Sequence, residues 1–156
     1  MSRAANELGG RAAVVGIGAT EFSKASGRSE LQLACEAVLS ALDDCGLSPA
    51  DVDGFGTFTA DTNPDIEIAR LLGSGDLTFF SRIHYGGGAA CATVMQAAMA
   101  VATGVADVVV CYRAFNERSG RRFGAGVQGF GGGTPTAELS QFSWNAPFGL
   151  LTPASW

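Results

Sequence analysis

The chain has 156 residues, 47% of them hydrophobic and only 16% charged, so it holds more apolar material than one small domain's core needs and is not a disordered polymer. Its formal net charge of −5 excludes a general nucleic-acid binder, which draws its affinity from Lys and Arg neutralising phosphates. Charges at Glu7 and Arg11 interrupt the first apolar stretch, so the start reads as neither a signal peptide nor a membrane span, and a soluble cytoplasmic protein is expected.

In chain order, the Val-rich run AAVVGI (12–17), ended by Gly18, suits a strand buried on both faces. Ser29 opens a helix with Gln32 as capping-box partner, and Leu31, Ala34, Val38, Ala41, Leu42 and Cys45 form one stripe; Gly46 and Pro49 close it. DGFGTFTA (53–60) reads as a second strand. Asn63 as cap and Pro64 at the first helical position start another helix, which runs to about Gly73. LTFFSRI (77–83) is strand-like, 89–103 is a helix ended by Gly104, and DVVVCYR (107–113) is the best-defined strand. Such alternation implies an α/β layered fold with a largely parallel central sheet. From Gly120 onward the glycine content is too high for a regular element, which predicts a long loop.

Cys35, Cys45, Cys91 and Cys111 form no C-x-x-C pair and have no histidine at zinc spacing, so no metal is expected. Cys35 and Cys45 share a predicted helix, where ten residues of rise separate them by about 15 Å, beyond disulfide reach. Reduced thiols agree with a cytosolic setting.

Gly16-Ile17-Gly18 has Glu21 where a dinucleotide fingerprint needs its third glycine, and a carboxylate there repels a pyrophosphate; it reads as a strand-ending turn. HYGGGAACATVMQAA (84–98) has more chemical content. A glycine run entering a helix leaves N–H groups unpaired, and a thiol in that first turn has its thiolate stabilised by them and by the helix dipole. Cys91 stands there, as a candidate nucleophile or as a small core residue. His84, the only histidine, is either a base or a hydrogen-bonded residue lining the loop. Beyond the last strand, Arg113, Arg118, Arg121 and Arg122 form a basic cluster, suited to the phosphates of coenzyme A or else to a solvated loop.

Cys91-Ala92-Thr93-Val94-Met95-Gln96-Ala97 resembles the thiolase motif Cys-small-small-Gly-x-Gln-Ala, in which the nucleophilic Cys opens a buried helix. The order of elements and GVADVVV (104–110) match as well, although Val94 replaces the motif's Gly and GGGAA precedes the Cys. Together with GIGATEFSKASGRSELQLACEAVLSALDDCGLSPADVDG, this is similar to the lipid-transfer-protein branch of the superfamily, relatives of sterol-carrier-protein thiolases that include steroid side-chain aldolases. The likeness reaches about Phe123. It implies a thiolase-like N-terminal half-domain over 1–123, with 124–156 a Gly-rich loop region ending in mid-structure.

The resemblance implies retro-aldol cleavage of a steroid side-chain β-hydroxyacyl-CoA that releases a short acyl-CoA. The alternatives are an acetyl-CoA C-acyltransferase (thiolase) with Cys91 as nucleophile, and a non-catalytic acyl-CoA or lipid-binding subunit. No cofactor is expected to stay bound, coenzyme A entering as part of the substrate, with Arg118, Arg121 and Arg122 as candidate phosphate ligands. Thiolase histidines lie in the second half of the fold, which leaves His84 a weak candidate. By resemblance, such proteins form homodimers through the strand at 77–83, and steroid aldolases of this branch work with a small partner carrying an OB-fold and a zinc ribbon.

Overall fold

The first helix, α1 (Glu30–Cys45), starts where Ser29 Oγ accepts the Gln32 N–H at 3.1 Å and stops at Gly46 in the left-handed region. The Gln32 side chain donates to Glu36 instead of returning to Ser29, so only half of the expected capping box forms. The computed structural model describes residues 9–58, 61–83, 88–116 and 146–149. Its further elements are β1 (Gly54–Phe58), α2 (Asp65–Leu72), β2 (Phe79–Ile83), α3 (Ala89–Thr103) and β3 (Val109–Cys111). Among the described residues no helix is long and apolar enough to cross a membrane.

The three strands form a parallel sheet in the order β2-β1-β3, pairing Gly54 with both Phe79 and Val109. Right-handed crossovers from β1 to β2, and from β2 back across β1 to β3, put α2 and α3 on opposite faces. One face carries the main core. Leu33, Ala34, Val38 and Leu42 of α1 and Ile68 and Ala69 of α2 pack there with Phe55 and Tyr112, whose rings meet edge to face at 6.2 Å. Leu33 thus joins the buried stripe, while Ala41 and Cys45 are only half-buried. On the other face α3 presents Ala89, Thr93, Ala97 and Ala100 to the sheet. Small residues let this helix lie close.

Three local expectations are corrected. Residues 12–17 are not a strand: among the described residues no strand runs beside them, and a ladder needs a partner. The segment instead lies on α1, where a Cβ on Gly16 or Gly18 would stand 2.2 Å from the carbonyl oxygen of Ala41 or Ala37. Its N–H at Ile17 donates to Asp44 at 2.9 Å, and Val14, Val15 and Ile17 are left exposed. At α2 the N-cap is Pro64, because the Asn63 side chain is drawn to Asp61. Finally, β3 is shorter than 107–113. The Asp53 carboxylate takes the N–H groups of Asp107 and Val108, both at 2.8 Å, before the ladder begins.

Candidate active site at the C-terminal end of the sheet

β1 leads into α2 on one face and β2 into α3 on the other, so their loops part at the C-terminal ends of the strands. In open parallel sheets such a parting forms the crevice that binds ligands. Cys91 is the third residue of α3, in the first turn, where the Gly88 N-cap supplies no side-chain acceptor for the leading N–H groups. Thr93 fixes the helix to the sheet: its hydroxyl, bonded within α3 to Ala89 O at 2.9 Å, also reaches Thr57 O of β1 at 3.4 Å, and its methyl lies against Gly56. Two residues are roughly 200° of helical rotation, so Cys91 lies on the side of α3 away from Thr93 and from its own sheet. There the thiol is exposed, and Val94, Met95 and Met99 on the outer side of the helix are exposed with it.

Gln96, the polar residue of the thiolase-like motif, accepts a hydrogen bond from Ser81 and so joins α3 to β2. Of the other thiols, Cys35 and Cys45 are half-buried and Cys111 is exposed. Burial, and secondarily Glu36, pushes the Cys35 thiol above its ordinary value, and burial does the same to Cys111, whose Sγ lies 3.9 Å from Thr93 O.

A polar clamp closes the core side of the same strand ends. Asp61 is buried, its carboxylate accepting from Asn63 N at 2.9 Å, Asn63 Nδ2 at 3.1 Å and Ala114 N at 2.9 Å. Burial raises its pKa against the opposing pull of these donors and of Arg82. The Arg82 guanidinium spans the carbonyls of Asp61 and Asn63 and the Asp65 carboxylate. Tyr112 donates its hydroxyl to Asp65 at 2.6 Å. Burial first, then the bond to Asp65, pushes its pKa well above the usual tyrosine range, so it serves as a fixed donor.

Past β3 the chain is held residue by residue. The Arg113 guanidinium lies between two rings, its carbon 4.7 Å from the Phe58 centroid and 4.0 Å from that of Phe115. Asn116 donates to Glu30 and, at 2.7 Å, to Arg28 O; Glu30 also accepts from Thr62. Among the candidate residues, His84, Arg118, Arg121 and Arg122 lie outside the described residues, whereas Cys91 and Arg113 lie within them. The clamp formed by Asp61, Asn63, Asp65 and Arg82 was missed by sequence reasoning. Arg82, a lone charge in the apolar run LTFFSRI, was its visible signal.

The architecture is an α/β fold of thiolase-like type. Its overlap with a monomeric SCP2-thiolase like protein type 1 from Mycobacterium smegmatis covers 62% of this chain and 22% of that one, at a TM-score of 0.53 and 27% identity. Two curated relatives are 66% identical: a steroid side-chain-cleaving aldolase of Thermomonospora curvata, over 96% of this chain, and a 17-hydroxy-3-oxo-4-pregnene-20-carboxyl-CoA lyase of Mycobacterium tuberculosis, over 95%. The solved Ltp2-ChsH2(DUF35) aldolase matches at 63% identity and a TM-score of 0.76, over 92% of this chain and 35% of that one. No family model matches. The likenesses support a thiolase-like, steroid-aldolase family, and the chain spans 38% of the length of the curated relatives it matches.

Proposed function

We propose that the chain contributes to a thiolase-like lyase that cleaves a steroid side-chain β-hydroxyacyl-CoA by a retro-aldol step. The 66% identity to proteins named as a steroid side-chain-cleaving aldolase and as a steroid-carboxyl-CoA lyase carries this reading. In that reaction a base takes the β-hydroxyl proton, the bond between the α and β carbons breaks, and its electron pair forms the thioester enolate. Protonation of the enolate releases the short acyl-CoA, and the hydroxyl carbon becomes a carbonyl. The first turn of α3 supports the enolate half of this chemistry, since N–H groups at a helix N-terminus favour developing negative charge.

The exposed thiol of Cys91 in that turn favours a second reading, in which its thiolate attacks the 3-keto carbon of a 3-ketoacyl-CoA, the bond between the α and β carbons breaks to leave an acetyl-CoA enolate that is protonated, and Cys91 holds the shortened acyl group as a thioester. Because Cys91 faces away from its own sheet, either chemistry needs a further layer of protein over α3 to exclude water. We infer that homodimerisation and a DUF35-type partner, as in the solved Ltp2-ChsH2(DUF35) aldolase, supply part of the assembly. Arg118, Arg121 and Arg122 are proposed to meet coenzyme A phosphates, and His84 remains a candidate base.

Incubating the chain, alone and with such a partner, with a 17-hydroxy steroid 20-carboxyl-CoA thioester tests the readings. Release of a short acyl-CoA that survives Cys91→Ala supports the lyase. Loss of release in Cys91→Ala, with an acyl group trapped on Cys91 of the unsubstituted protein, overturns it in favour of the transferase. Tight acyl-CoA binding without turnover in either setting leaves a binding subunit.

A further inference from the structure

We propose that residues 112–116 form an acid-released strap, in which protonation of the Asp61 carboxylate frees the Ala114 N–H and loosens the chain as it leaves β3. Alternate residues of this segment are each held by a carboxylate from a different part of the fold. The Tyr112 hydroxyl donates to Asp65 of α2 at 2.6 Å, the Ala114 N–H to Asp61 of the β1–α2 loop at 2.9 Å, and the Asn116 N–H to Glu30 of α1 at 3.3 Å. An ionised carboxylate only accepts hydrogen bonds, so these three holds suit their donors as long as the acids stay charged. Asp61 is the buried one of the three, 5% exposed.

The two oxygens of Asp61 are unequally engaged. Oδ1 takes both the N–H and the side-chain amide of Asn63, at 2.9 and 3.1 Å, whereas Oδ2 takes the N–H of Ala114. A proton therefore settles on Oδ2, where the new hydroxyl is a donor facing another donor. The charged and titratable groups about Asp61 are Arg82 of β2, Asp65 of α2 and the Tyr112 hydroxyl beyond β3, with Glu30 of α1 joined to the same loop through Thr62. Arg82 grips the loop by the carbonyls of Asp61 and Asn63 and by Asp65, so the loop keeps its place when the Asp61 charge is lost.

Burial raises the Asp61 pKa, while the bonds from Ala114 and Asn63 and the Arg82 charge lower it. A hydrogen bond that lowers a pKa is weakened in return when the group takes up its proton, so acid opposes the bond to Ala114. For the whole fold the sign is opposite. Because the folded-state value stands above the unfolded one, the stability owed to Asp61 is complete below the unfolded value and is lost as pH rises through the folded value. Acid thus loosens the strap without unfolding the chain through Asp61.

Hydrogen exchange resolved to single amides by mass spectrometry, from about pH 7 to about pH 4, tests the strap, each rate being divided by that of an unstructured amide at the same pH. Protection at Ala114 should fall by roughly 10- to 100-fold as Asp61 is protonated, the worth of a hydrogen bond to a charged acceptor. The amides inside α1, and that of Tyr112, which donates to Gly56 O at 2.9 Å, should keep their protection. Asp61→Asn, neutral at every pH, should show the low Ala114 protection already at neutral pH and no step on acidification. Glu30→Gln spares Asp61 and should keep the step, which holds the assignment to account if Asp61→Asn does not fold by circular dichroism. Ala114 protection that stays constant across the range, or that falls together with the α1 amides, overturns the strap. So does native protection at Ala114 in folded Asp61→Asn, or loss of the step in Glu30→Gln.

Discussion

Thr93 of α3 and Gly56 of β1 are in contact: a Cβ built on Gly56 would stand 3.0 Å from Thr93 Cγ2. The helix that carries Cys91 is therefore seated on the sheet at a residue with no side chain. Gly56→Val should destabilise the fold by about 1–3 kcal/mol, since extra methyl groups at a filled contact force the neighbour to move. Thr93→Ser removes the methyl group and keeps the hydroxyl bond to Ala89 O. In that background the penalty for Gly56→Val should fall by at least half, a coupling that urea unfolding of the four proteins in a double-mutant cycle would measure. Additive effects would show that Gly56 is needed for another reason.

Cys91 should be alkylated before Cys35 and Cys111. It is exposed in the first turn of a helix, whereas Cys35 is half-buried and Cys111, although its residue is exposed, has a thiol that desolvation against α3 raises above its ordinary value. A raised folded-state value means that the thiol form is favoured in the fold and is given up only as pH rises through that value. Limited iodoacetamide at neutral pH, read by mass spectrometry, should label Cys91 first, with Cys35 and Cys111 following at higher pH or on unfolding. Early labelling of Cys35 would remove the physical case for a nucleophile at Cys91.

Tyr112→Phe isolates the clamp at the strand ends. The lost hydroxyl bond to Asp65 is charge-assisted and should cost about 1.5–3 kcal/mol at neutral pH. In the native protein the folded-state value of Tyr112 is raised, so its contribution is complete below the unfolded value of about 10 and is lost as pH rises beyond it. The stability difference between native and Tyr112→Phe proteins should therefore shrink above about pH 10, by up to 1.4 kcal/mol per pH unit. A difference independent of pH from 8 to 11 would mean that the hydroxyl is not locked to Asp65 in solution.

What the sequence revealed and what it hid follow one division. Elements ended by strong local chemistry were legible: Ser29 and Gly46 bound α1, Gly73 closes α2 and Gly104 closes α3, all three glycines being left-handed. Segments whose state depends on a distant partner were not. AAVVGI has the composition of a strand, yet a strand exists only beside another, and the segment rests on α1 through Gly16 and Gly18. Cys91 was legible through the glycine run before α3, but the direction of its thiol depends on which side of α3 meets the sheet, and that was set by Gly56. The clamp of Asp61, Arg82 and Tyr112 joins residues from three separate segments, so no local pattern could announce it.

The outer side of α3 gives the last prediction. A helix with few polar residues needs cover all round, and here only one side is covered by the sheet. Val94, Met95 and Met99 remain 48%, 56% and 43% exposed. Such side chains form an apolar surface on the order of a few hundred Å2, large enough to drive association. The chain on its own should therefore elute above its monomer mass in size-exclusion chromatography and bind a hydrophobic dye. Met95→Glu with Met99→Glu should reduce both signals while leaving the far-ultraviolet dichroism unchanged, because neither side chain enters the core. The half-buried Ala90, Ala92 and Ala98 add only methyl groups, so the effect belongs chiefly to the two methionines and Val94. A soluble monomer that binds no dye would show that this side of α3 tolerates water, and would remove the argument that Cys91 works beneath a second layer of protein.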